Sequence, residues 1–212
     1  MIEGFFDDIK DIIQKNGRVE EMRQIASMNG FRFRSRETFA RQDYLLKEFS
    51  IFKGKKDKRI KGIMMKKEPS FDINIRVYDY WYFGDFKKRK TTVYEVFGKA
   101  LDFPRLEIRP RGLLNQMTEF FWANEKPYPD QKDFHTKYEV LSMDAKLFEA
   151  EMSPRVLEHL MSRKNISVEG EGDYLLVYST YEITPAKYLM EEYDYVLDLV
   201  EIILNDDTNE YV

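Results

Sequence analysis

The chain has 212 residues, 43% hydrophobic and 34% charged, a balance that excludes intrinsic disorder and suits one substantial core. It has no cysteine, which excludes disulfides and thiolate ligands and fits a reducing, cytoplasmic setting. The net charge of -4 gives no global attraction to nucleic acid, and no window approaches the roughly 18 apolar residues of a spanning helix, so the expectation is a soluble protein without membrane insertion.

Phe5 to Ile13 reads as a short amphipathic turn or two leading into Asn16-Gly17, and Arg18 to Met28 as a helix stopped by Asn29-Gly30. Phe31 and Phe33 alternate with Arg32 and Arg34 in a short extended piece. Thr38 to Phe49 has helical spacing, and a basic loop follows through Lys53 to Lys56. Arg59 to Lys66 reads as an edge strand, because its lysines would discourage further pairing.

Phe71 to Phe83 is the longest strand. Phe71, Ile73, Ile75 and Val77 share one face. Beyond Val77, Tyr78, Tyr80 and Tyr82 occupy the formerly polar face, opposite Asp79, Trp81 and Phe83. Such a strand is covered on both sides at its far end, or carries a bulge. Gly84 to Lys90 reads as an exposed turn, and Thr91 to Phe97 closes the hairpin. The tyrosines then belong to packing, and the cations to a wet tip.

Leu106 and Ile108 mark a strand ended by Pro110, Gly112 to Trp122 a short helix, and Asn124 to Lys132 a loop. Tyr138 to Leu141 is a strand; Ser142 to Glu149 and Ser153 to Met161 are helices, the latter with Pro154 after a serine cap. In NISVEGEGDYLLVYS, Ile166 and Val168 alternate with Ser167 and Glu169. Gly170, Gly172 and Asp173 make the turn, and Leu175 to Ser179 returns. Glu169 and Asp173 serve that turn on this reading. Thr184 caps a last helix whose inner stripe is Leu189, Tyr193, Val196, Val200 and Leu204, and NDDTNEYV frays after it. Six or seven strands, mostly hairpin-linked, with helices at the start, middle and end, predict an α+β fold with an antiparallel sheet. It forms a single domain, with two packed lobes dividing near residues 124–132 as the alternative.

The chemistry-bearing patterns are sparse. No nucleophile elbow, nucleotide-binding loop or clustered metal ligands stand out, so no cofactor or metal is expected and the reading leans away from an enzyme. Asp79, inside the aromatic strand, needs a hydrogen-bonded or cationic partner if buried; Arg76, Arg109 and Arg111 are candidates. Asp79, Tyr80, Tyr82, Arg109, Arg111 and His135 form the candidate binding set. His159, beside Glu158, reads as a surface or capping histidine. Lys53 to Lys67 holds eight cations against one Asp, and Lys187 to Val212 one Lys against eight acids. Lys53, Lys55, Lys56, Lys58 and Arg59, with Lys87, Lys88, Arg89 and Lys90, make the basic patch.

Four patches together resemble a family of uncharacterised bacterial proteins. They are Asp79-Tyr80-Trp81-Tyr82, LDFPRLEIRPRGLL from Leu101, DFHTKYEVLSMDA from Asp133 and SVEGEGDYLLVYS from Ser167. Arg111 stands where that family usually has an acid, and Ser142 near a common glycine. The resemblance implies no assigned activity, and some relatives carry membrane segments ahead of the domain. The functional expectation is a noncatalytic interaction or scaffold domain with a protein partner, self-association included. The alternative is a small-ligand binder or hydrolase with a polar and aromatic pocket around Asp79. Nucleic-acid binding ranks last, because period-2 packing accounts for the rings.

Overall fold

The computed structural model describes residues 17–39, 44–84, 87–112, 128, 130–142 and 145–205. It is an α+β fold built on one eight-stranded antiparallel sheet. In chain order the elements are α1 (17–28), β1 (Arg32–Glu37), α2 (Tyr44–Glu48), β2 (Lys56–Glu68), β3 (Ile73–Gly84), β4 (Lys87–Phe97) and β5 (Phe103–Pro110). They continue with α3 (Lys132–Lys137), β6 (Tyr138–Ser142), α4 (Ala145–Glu151), α5 (Pro154–Met161), β7 (Ile166–Gly172), β8 (Tyr174–Ser179) and α6 (Leu189–Asn205). The spatial order is β1-β2-β3-β4-β8-β7-β5-β6, so the β7–β8 hairpin lies between β4 and β5.

Both faces of the sheet are covered. On one face Ile75, Val77, Tyr94, Val168 and Val177 pack against Met22 of α1, Leu157 of α5 and Val196 and Val200 of α6; this is the helical face. On the other, Tyr78, Tyr80, Tyr82, Val93, Leu176 and Tyr178 pack against Phe39, Leu46 of α2 and Phe49 to Phe52; this is the loop face. The change of pattern after Val77 therefore marks two-sided burial. Tyr78 and Tyr80 are completely buried.

The structure departs from several expectations. β2 is interior rather than an edge, because the Phe31–Phe33 piece extends to Glu37 and pairs along it; β1 and β6 are the edges. Lys87 to Lys90 are strand residues rather than turn, since β4 begins at Lys87 and pairs with β3 up to Gly84. Eight strands replace the expected six or seven. Helix α2 occupies only Tyr44–Glu48 of the expected 38–49 among the described residues. Helix α3 forms over Lys132–Lys137, where the residue spacing predicts none. Thr184 does not cap: the turn Ala186–Tyr188 before α6 begins from Pro185 with no side-chain cap, and the Thr184 carbonyl is taken by Arg18. The expected amphipathic turns at 5–13, the expected helix at 112–122 and the tail after Asn205 lie largely or wholly outside the described residues.

The serine cap of α5 is present, with Ser153 Oγ accepting from Val156 N. Gly62 creates a bulge in β2 at φ +62, and a side chain there would meet Met22 Sδ of α1. Glycine suits the left-handed backbone there and leaves room for α1 to seat closely.

Candidate functional site

Strand alternation carries Arg76, Tyr78, Tyr80 and Tyr82 to the loop face. Tyr80 lies at the centre of a ring cluster. Its centroid is 4.9 Å from that of Phe52, 5.0 Å from that of Tyr82 and 6.0 Å from that of Phe39. Lys58 Nζ lies 4.5 Å from the Phe39 ring centroid and Lys55 Nζ 5.6 Å from that of Tyr82, closing the cluster with cations. The Tyr80 hydroxyl is buried and has no hydrogen-bond partner among the described residues. Burial pushes its pKa far above the ordinary tyrosine value, so it remains a donor.

Beside the rings runs a polar row that sequence reasoning missed. Sheet register aligns Arg76, Glu95, Leu176, Glu169 and Glu107 across β3, β4, β8, β7 and β5. The three glutamates are all buried. Glu95 accepts from Arg76 at 3.0 Å and from the Tyr78 hydroxyl at 2.9 Å. Glu37 of β1 adds a second carboxylate to Arg76 at 3.3 Å. Burial raises the Glu95 carboxyl despite those partners.

Glu107 and Glu169 are direct cross-strand neighbours. Glu169 accepts from the Ser50 and Ile51 backbone N–H groups, the latter at 3.0 Å, and from the Tyr178 hydroxyl at 2.7 Å. Glu107 accepts from Ser50 Oγ at 2.7 Å and faces Arg109 at 3.6 Å. Burial first, then the charge of Glu107, pushes the Glu169 carboxyl up to about 7; burial also raises Glu107. Glu169 is thus not a turn residue. It is a buried acid that fastens the segment after α2 onto the sheet. Arg105 helps, donating to the Glu48 carbonyl at 3.0 Å. A recess lined by Phe49, Ser50, Arg105 and the two glutamates has room for little more than one water.

Asp79 points to the helical face, away from Tyr80 and Tyr82. Its partners are Arg18 Nε at 3.0 Å and Thr92 Oγ at 2.8 Å, not Arg76, Arg109 or Arg111. Thr92 Oγ in turn accepts from Thr184 N at 3.0 Å, and Arg18 donates to Thr184 O at 2.7 Å. The aspartate therefore knits α1 and the approach to α6 to the sheet. Arg109 is buried on β5 near Glu107 and Glu139, and Arg111 is exposed just past β5. His135 lies on α3 with Nε2 3.1 Å from the Tyr128 carbonyl. Of the candidate set, only Tyr80 and Tyr82 touch. His159 is stacked on Tyr195 at 4.3 Å. Among the described residues no group of three or more His, Asp or Glu is arranged to hold a metal, and no helix is long and apolar enough to cross a membrane.

No family model matches the chain, and no curated protein matches it in sequence. The crystal structure of the mycobacterial trehalose monomycolate transport factor A, TtfA, is similar in fold. Its TM-score is 0.58 at 14% identity, over 89% of this chain and 93% of that one. The likeness is one of architecture.

Proposed function

We propose that this protein is a noncatalytic binding factor that takes an amphipathic ligand on the loop face, against the Tyr80 ring cluster. The carrying observation is the Tyr80 hydroxyl, buried among Phe39, Phe52 and Tyr82 with no hydrogen-bond partner among the described residues. An unmet buried donor is costly, and a ligand acceptor among aromatic walls would satisfy it. The segment from α2 to Phe52 covers this cluster and is hinged onto the sheet through Glu107 and Glu169. Ligand entry requires that cover to lift. The architecture shared with the mycobacterial trehalose monomycolate transport factor supports a carrier or accessory role over an enzymatic one.

The test is native mass spectrometry of the full chain purified from its own host, followed by solvent extraction and thermal shift with the recovered molecule. A copurifying amphipath that stabilises the wild type, and binds the Tyr80→Phe variant about tenfold more weakly, is the expected result. An empty protein that no extracted lipid stabilises would refute it.

A protein-interaction role is the second reading. It is favoured by β1, an arginine-bearing edge strand with one side unpaired in the sheet. Capture of a partner that is lost in the Ser35→Pro variant would favour it.

A further inference from the structure

The sheet register brings together two basic runs that are far apart in sequence. At the free end of the β3–β4 hairpin, Phe83 pairs with Lys56 of β2 on one side and Lys88 of β4 on the other. One step inward, Trp81 pairs with Arg59 and with Lys90. Direct antiparallel partners share a face, so the two rings form a central stripe flanked by cations. The Lys90 ammonium lies 5.4 Å from the Trp81 ring centroid. Phe83 is 37% exposed, Trp81 is half-buried, and all four flanking cations are exposed. Lys87 adds a further exposed cation at the same end.

Among the described residues no acid neutralises these charges. None of Lys56, Arg59, Lys87, Lys88 and Lys90 forms an ion pair with a described carboxylate. Behind them, Lys58 is held below the ordinary lysine pKa by burial and then by the charges of Lys47 and Lys55. A cluster of cations gathered at one exposed strand end in a chain of net charge -4 costs repulsion. A surface of opposite sign is the natural complement.

We infer that this hairpin end docks peripherally on an anionic lipid bilayer, with Trp81 and Phe83 at headgroup depth and the surrounding lysines and Arg59 on lipid phosphates. Tryptophan and phenylalanine ringed by basic side chains suit the membrane interface, where rings sit among headgroups and cations meet phosphate. Single-stranded nucleic acid fits less well. It needs successive bare rings for stacking, and the neighbouring Tyr78, Tyr80 and Tyr82 are buried on the opposite face. The docking site is separate from the Tyr80 cluster and does not depend on ligand binding there.

The test is cosedimentation of the full chain with phosphatidylcholine vesicles, with and without phosphatidylserine, at low and high salt. A single-stranded oligonucleotide and inorganic phosphate serve as soluble competitors. Pelleting should require phosphatidylserine and weaken with salt. Each cation contributes about fivefold, so the K88Q/K90Q pair should weaken partitioning roughly twenty-five-fold. Phe83→Ser should weaken it further at unchanged charge, while Lys137→Gln, exposed on α3, and Tyr80→Phe should leave it unchanged. Circular dichroism confirms that each variant is folded. Failure to pellet with phosphatidylserine vesicles at low salt overturns the inference. So does pelleting that survives both hairpin variants, or oligonucleotide binding that vanishes in those variants while vesicles are ignored.

Discussion

At the residue scale, the protein depends on a few buried charges and their donors. Asp79 is 2% exposed, and Arg18 is its cation. Arg18→Ala leaves a buried carboxylate with Thr92 alone and is expected to cost about 3 kcal/mol in urea unfolding. The double variant is the informative contrast: in the Asp79→Asn background the same Arg18→Ala change should cost clearly less, because no full charge is then stranded. Tyr80→Phe should have the opposite sign in the ligand-free protein, raising stability by about 1 kcal/mol by deleting an unmet donor. Glu169 gives a pH signature. Its folded pKa, about 7, lies above the ordinary 4.5, so its contribution is fully present below pH 4.5 and is lost as pH rises through 7. Glu107 shifts in the same direction. Unfolding measured at pH 5 and pH 8 should show the wild type losing stability relative to Glu169→Gln, which keeps one of the two acceptor oxygens and discards the charge.

At the element scale, alternation along β3 and β7 makes the facing of each side chain legible in the amino-acid order alone. Ile73, Ile75 and Val77 on one side and Tyr78, Tyr80 and Tyr82 on the other sit where period 2 puts them. What covers a face is not legible. Glu169 reads as wet in SVEGEG, because the backbone groups that bury it come from Ser50 and Ile51, over a hundred residues earlier. Arg18 is unreadable as the partner of Asp79 for the same reason. Glu95 and Glu107 give one usable sign: each is a lone acid inside an otherwise apolar or arginine-flanked strand, a pattern that asks for a buried partner. The β2 bulge is a further local device. Gly62→Ala forces a side chain into left-handed backbone and against Met22. A loss of about 2 kcal/mol is expected in chemical denaturation, along with looser packing of α1.

At the scale of the whole molecule, the two hydrophobic clusters share one sheet and so should melt together. Phe52→Ala on the loop face and Leu199→Ala on the helical face each remove a buried side chain. About 3 kcal/mol apiece is expected. Their effects should add in a single calorimetric transition, since they touch opposite sides of the same strands. The strand order has another consequence, for synthesis on the ribosome. As translation proceeds, β4 emerges long before its outer neighbour, and Val93 to Phe97 must wait for Tyr174 to Tyr178. Until then the nascent polypeptide holds a half-built meander with an apolar, unpaired border, and the β5–β6 pair has no strand linking it to that meander. The newborn chain is therefore a natural client for chaperones, and its vulnerable interval closes only when the late hairpin slots into the gap.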